Sequence, residues 1–188
     1  PLETLARAPQ DVRDRAAADL INLTLRELFE FGFMQTDPNL ANYRWQPATG
    51  KIALLDFGAA RAVAPELSND FRALLNAGID GQAEPICAAM RKIGYFNSQV
   101  AARHQQLILR MFNTAMEPLR QDTPFDFAHS DLLARLRDLG LAIGNDRDLT
   151  HVPPAATLFL HRKIGGMYLM AAKLKARVGL REIVERWR

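Results

Sequence analysis

One short segment constrains the fold more than any other. Tyr43-Arg44-Trp45 and Lys51 to Leu55 read as two strands around Gln46-Pro47-Ala48-Thr49-Gly50, a hairpin loop with proline early and glycine late. The rest of the pattern is helical. Upstream, Val12, Ala16, Leu20 and Leu23, with Ile21, Leu25, Leu28 and Phe29, form a stripe that predicts a helix from about Pro9 to Phe31. Pro9 suits its first turn and Gly32 its end. Downstream, everything after the second strand reads as helix. Leu67, Phe71, Leu74 and Leu75 form one face, and Ile86, Cys87, Met90 and Ile93 the next. Val100, Leu107, Ile108, Met111, Phe112 and Ala115 mark a third, and Leu132 to Leu139 a short fourth. The longest begins at Pro153-Pro154 and spaces Leu160, Ile164, Met167, Ala171, Leu174 and Val178 by four and three. Glu117 to Asp131 and Gly140 to Pro154 are candidate linkers.

Length and composition then limit the class. At 188 residues and 48% hydrophobic content the chain is one globular domain, mainly α with a small β element. The single cysteine, Cys87, excludes an internal disulfide and a cysteine metal site, and its apolar stripe makes it a core residue. No apolar run reaches the roughly 18 residues of a membrane span. Pro1-Leu2-Glu3 reads neither as a signal peptide nor as a natural start, so a fragment that is not secreted is expected. A net charge of +3 is too small for a nucleic-acid binder, and no nucleic-acid partner is expected. The charge is uneven, however. From residue 161 to the end, eight basic residues face only Glu182 and Glu185, so the segment 173–188 is a candidate for an anionic membrane surface or a solvated helix face.

Three polar residues stand where chemistry is possible. Asp37 opens an irregular loop after the first helix, Asn42 follows five positions later, and Asp56 closes the second strand before Phe57 and Gly58. A hairpin folds Asn42 and Asp56 toward one end of the strand pair, so three oxygen-bearing side chains can converge there. Phosphoryl transfer uses such a set: one carboxylate orients the attacking hydroxyl, while an amide and a second carboxylate hold Mg²⁺ against ATP phosphates. Asp-x-x-x-x-Asn, a strand pair, then Asp-Phe-Gly is the order found in kinases.

The stretches Phe33 to Asn42 and Leu54 to Arg61 resemble the catalytic and metal-binding loops of the UbiB/ADCK family of atypical kinase-like proteins of ubiquinone (coenzyme Q) biosynthesis. Leu25 to Phe31, Leu160 to Met167 and Lys173 to Ala176 are similar too, so the resemblance covers nearly the whole chain. It implies a protein-kinase-like C-terminal lobe over 1–188, with a catalytic loop at 33–42, a strand pair at 43–55 and a metal loop at 56–58. Family-specific helices would fill 65–188. It further implies Asp37 as the catalytic-loop aspartate, Asn42 and Asp56 as Mg²⁺ and ATP ligands, and a kinase or ATPase activity. The N-terminal lobe is an expected partner outside this sequence, as is the family's inhibitory Lys-x-Gly-Gln segment. The isolated chain is therefore expected to bind nucleotide poorly and to be inactive. Other quinone-pathway proteins and lipid precursors are implied partners. The implied location is the bacterial cytoplasm or the mitochondrial matrix side, peripheral to a membrane.

The departures from ordinary kinases are specific. Gln35-Thr36 replace His-Arg before Asp37, and Asn39 replaces the lysine two positions after it. No Ala-Pro-Glu, and so no ordinary activation segment, is expected after Asp56, which favours ATP hydrolysis or a small-molecule or lipid acceptor over a protein substrate. Lys51 lies on the wrong side of Asn42 to be the nucleotide lysine. The alternative is a non-catalytic, pseudokinase-like module that binds lipid or pathway proteins. A small-molecule kinase of the aminoglycoside or choline kind is a lesser option. His104, His129, His151 and His161 lack metal-ligand spacing and read as surface or helix-cap residues. Gly165-Gly166 should weaken their helix by about 2 kcal/mol relative to two alanines, so close packing against another helix or a partner contact is expected. Trp187 is either a frayed end or an interfacial anchor.

Overall fold

The stripe that starts at Val12 becomes α1 (Gln10–Arg26), which continues without a break into a wider π-helical turn, Glu27–Phe31. Gly32 stops it at φ 61°, a left-handed conformation in which a Cβ would be strained. The chain, described over residues 1–188 by a computed structural model, then forms six short strands and six further helices.

Strand β1 (Phe33–Gln35) leads into the irregular loop, and β2 (Tyr43–Gln46) and β3 (Lys51–Leu54) form the expected hairpin with Tyr43 opposite Leu54 and Gln46 opposite Lys51. Two further ladders depart from the sequence reading. β4 (Ala60–Ala62) runs antiparallel to β1 with Met34 opposite Arg61, and β5 (Phe125–Asp126) pairs with β6 (Arg177–Val178). Strands of two or three residues are too short for an alternating pattern to show. They form because separate segments dock side by side and pair their backbone groups.

The helices are α2 (Pro65–Asp80), α3 (Ala83–Ile93), α4 (Ala102–Met116), α5 (Leu132–Gly144), α6 (Ala155–Lys173) and α7 (Leu180–Glu185). Two apolar clusters hold them together. Ala16, Ala17 and Leu20 of α1 pack with Met167, Met170, Ala171 and Leu174 of α6, and with Leu40 and Tyr43 beside the hairpin. Leu28 and Met34 join Phe71 and Leu74 of α2, Ile86 and Met90 of α3, and Leu160 of α6 in the second. The catalytic-type loop thus sits at the seam between the clusters. No helix is long and apolar enough to cross a membrane.

Helix α6 corrects one expectation. Leu160, Met167, Ala171 and Leu174 are buried as the spacing predicts, but Ile164 is 53% exposed and Lys163 takes its place, fully buried. Positions 160, 163, 167 and 171 are as helical a stripe as 160, 164, 167 and 171, and the decision falls to a partner: Glu27 lies 2.7 Å from the Lys163 amine. Cys87 is half-buried at the edge of its helix rather than in the core. At the C-terminal end, the Trp187 indole N–H donates to Asn22 at 3.3 Å and its ring lies 6.0 Å from Phe29, so this residue is docked rather than frayed.

The histidines are mostly tertiary contacts, not caps. His104 is 2% exposed and its Nε2 lies 2.7 Å from Asp146, while His151 contacts the Gly94 carbonyl at 2.8 Å. His161 contacts the Tyr95 hydroxyl at 2.7 Å yet stays exposed, and His129 is a surface residue beside Asp126. These links join residues 42 to 66 positions apart and therefore leave no local signature. The hydrogen bond from His104, aided by the Asp148 backbone and the Arg103 charge, holds the Asp146 carboxyl below its usual range against the opposing effect of burial. A lowered folded value contributes stability that is present above about pH 4 and lost as pH falls through the folded value. Asp146→Asn should therefore lower the urea midpoint by a constant amount above about pH 5, and by less in the acid range. A stability gap that stays constant to the acid limit would remove this linkage.

Candidate functional site

The site is built from the loop between β1 and β2 and the segment that follows β3. Gln35 is buried, and its side-chain oxygen accepts the Asp37 main-chain N–H at 2.8 Å. Thr36 donates both its hydroxyl, at 2.6 Å, and its N–H, at 3.2 Å, to the Ala59 carbonyl. The two residues that replace His-Arg thus have structural work. One fixes the backbone of Asp37, and the other fastens this loop to the segment after Asp56.

Asn42 closes the loop on itself. Its amide NH₂ donates to the Asp37 carbonyl at 3.2 Å and to the Asp37 carboxylate at 3.3 Å. With the NH₂ held inward, the amide oxygen is left for another partner. The Asn42 carbonyl accepts the Leu55 N–H at 2.9 Å, which carries the β2–β3 ladder one step further and sets Asp56 next to Asn42 across the strands. Asp56 is exposed, and one of its oxygens accepts the Gly58 N–H at 2.7 Å, leaving the other free. Asp37, Asn42 and Asp56 therefore lie at one end of the hairpin, as the sequence predicts.

The donor set fits Mg²⁺: one amide oxygen and one carboxylate oxygen, both hard and both without another hydrogen-bond donor, on a face open to solvent. Phe57 and Leu55, beside Asp56, are 59% and 52% exposed, and Phe31 and Phe33 are exposed as well. Exposed apolar side chains next to Asp56 give the open face of the site an apolar border.

Helix α6 adds two residues that the sequence reading did not assign to the site. Arg162 places a guanidinium nitrogen 3.2 Å from the Asp37 carboxylate, and so brings a cation to a loop where Asn39 offers none. Gly166 faces Pro38. A Cβ at Gly166 would overlap the Pro38 ring, whereas at Gly165 it would meet nothing. Close packing at the glycine pair is thus present, but against the loop rather than against a helix. The signal was available in the glycine pair; its partner was not, because 128 positions separate Pro38 from Gly166.

Ala64-Pro65-Glu66 corrects the expectation that no Ala-Pro-Glu follows Asp56. These residues spell the end of a kinase activation segment, yet they open α2 only eight positions after Asp56, with Pro65 in the first turn. The segment between is taken up by β4, so a short, strand-paired version replaces an ordinary activation segment.

Comparison with known proteins agrees with this geometry. Residues 3–90 match the ABC1 atypical kinase-like domain. The chain is 35% identical over 95% of its length to the atypical kinase coq-8, mitochondrial, of Caenorhabditis elegans, and 32% identical over 93% to atypical kinase COQ8, mitochondrial, of Saccharomyces cerevisiae. Its N-terminal part, up to residue 90, is an ABC1 atypical kinase-like domain. The chain spans 24% of the worm relative and 35% of the yeast one, so these relatives are roughly three to four times as long as the segment aligned. The fold is shared with a solved Mycobacterium tuberculosis protein, described as the complex structure of Rv3197–erythromycin. That match has a TM-score of 0.71 and 21% identity, covering 98% of this chain and 46% of the other.

The two glycines separate packing from propensity. Gly166→Ala should destabilise the protein by about 1–3 kcal/mol through overlap with Pro38, while Gly165→Ala should stabilise it by about 0.5–1 kcal/mol. Denaturant unfolding of both variants checks this, and equal effects of the same sign would contradict the contact.

Proposed function

We propose that this lobe supplies the phosphoryl-transfer end of an atypical kinase or ATPase acting in support of ubiquinone biosynthesis. The observation that carries the reading is the Asp37–Asn42 hydrogen bond. It presents a carboxylate and leaves an amide oxygen free beside the exposed Asp56. The relatives are named atypical kinases, which supports the same class.

Each residue has a distinct task in this reading. Asp37 orients the hydroxyl of the acceptor, or a water, and takes its proton. Asn42 positions Asp37 with its NH₂ and offers its oxygen to the metal; Asp56 offers a second oxygen. Magnesium, when bound, offsets the phosphate charge that grows during transfer. Gln35 and Thr36 hold the loop so that these groups stay in place, which makes them positioning residues. Arg162 adds positive charge next to Asp37.

Leu55 and Phe57 stand exposed beside Asp56. An N-terminal lobe from the intact protein would cover them and enclose the nucleotide, so the lobe by itself should bind nucleotide weakly and turn nothing over. The C-terminal basic segment is in part neutralised: Arg177, Arg181, Arg186 and Arg188 each pair with a carboxylate, leaving Lys173 and Lys175 for any anionic surface.

Thermal unfolding of the longest native form, with Mg²⁺ alone and with Mg²⁺-ATP, tests the reading. At a hundredfold excess over Kd the nucleotide should add about 2.7 kcal/mol, a shift of several degrees that Asp56→Asn abolishes. A saturating dose that moves neither protein would leave a non-catalytic binding module.

A further inference from the structure

Beside the loop, and separate from the Asn42–Asp56 end, lies a cavity of about 560 Å³ lined by twelve residues, ten of them hydrophobic. This falls within the roughly 300–1,000 Å³ of small-molecule pockets. Its wall comes from five elements: Leu28 of the π turn, Met34 of β1, Ala62 of β4, Phe71 of α2, and Phe159 and Leu160 of α6 among them. The two polar residues of the lining are Thr36 and Arg61.

The strand register explains why a cation stands in an apolar wall. Met34 and Arg61 are directly opposed in the β1–β4 ladder, so their side chains share one face of it. That face looks into the cavity. Arg61 makes no salt bridge; its guanidinium lies over the Phe159 ring, 4.2 Å from the centroid, at the edge of the apolar lining. A guanidinium on an aromatic face keeps its in-plane N–H donors free for an anion.

We propose that this cavity binds a small amphipathic anion. The apolar body lies among Leu28, Met34, Phe71 and Leu160, and the carboxylate or phosphate head rests on Arg61. The charge commits the occupant, since an unpaired arginine in an otherwise apolar wall complements a ligand with one anionic end. Thr36 ties the cavity to the loop that carries Asp37, and it hydrogen-bonds the Ala59 carbonyl on the segment leading to Arg61. A filled cavity therefore presses on both sides of that link. The proposal rests on the cavity alone, and binding is measured without nucleotide, so its failure and that of the kinase reading are separable.

The test is calorimetric titration of the longest native form with 4-octylbenzoate and with the uncharged 4-octylbenzyl alcohol, both below their micelle concentrations. One equivalent of benzoate should bind, roughly fivefold to tenfold more tightly than the alcohol. Arg61→Ala should erase that preference and leave the alcohol's affinity as it was. Ala156→Trp, which puts a large side chain into the lining, should weaken both ligands, with its melting curve confirming that it folds. Arg61 is exposed and outside the cores, so its variant decides the matter if Ala156→Trp does not fold. Equal affinity for the two molecules, many-fold stoichiometry, binding indifferent to Arg61→Ala, or no heat from either ligand would each overturn the proposal.

Discussion

A single buried ion pair holds the site to the rest of the lobe. Lys163 is 0% exposed at its side chain and Glu27 4%, with 2.7 Å between the charged atoms. Burial opposes charge on both: it raises the Glu27 carboxyl above its ordinary range and lowers the Lys163 amine below its own, and each partner's charge works against that effect. The Tyr43 hydroxyl lies 3.4 Å from the amine, and its own proton is held more tightly by burial and by the charges of Glu27 and Asp37. One contact thus joins the turn after α1, the hairpin and α6. Such a pair is weak as net stability, but removing one partner strands a charge in the interior.

The geometry at Asp37 follows from where this pair sets α6. Arg162 and Gly166 flank Lys163 in sequence and reach the carboxylate of Asp37 and the ring of Pro38. From the strand side, Gln35 and Thr36 hold the same loop by hydrogen bonds. The loop is therefore held between a helix and a two-stranded ladder. The π-helical turn that carries Glu27 is part of this arrangement, because such turns shift the side chains that follow and occur often at functional sites.

Much of this was legible in the sequence, and the reasons are local. The hairpin, the first helix and the Asp37, Asn42 and Asp56 constellation are written in short-range patterns: loop chemistry, a stripe, and a motif whose spacing a hairpin converts into proximity. The family resemblance rested on those same stretches, and the comparisons bear it out. What stayed hidden depends on distant partners. Ile164 fits the apolar stripe better than Lys163 until Glu27, 136 positions away, is known to be its neighbour. The β1–β4 ladder, the Gly166–Pro38 contact and the His104–Asp146 contact hide for the same reason. Ala64-Pro65-Glu66 is different: it stands in the sequence eight positions after Asp56, and the expectation of its absence fails on the sequence alone.

A double-mutant cycle on Glu27→Gln and Lys163→Met, followed by urea unfolding and by amide exchange at Asp37 and Asn42, tests the central claim most directly. Each single substitution should cost about 3–5 kcal/mol and speed exchange in the loop, and the double variant should cost much less than their sum, because no charge is then left unpaired. Additive costs, with the loop amides as protected in the single variants as in the unaltered protein, would contradict the claim that this ion pair holds the site in place.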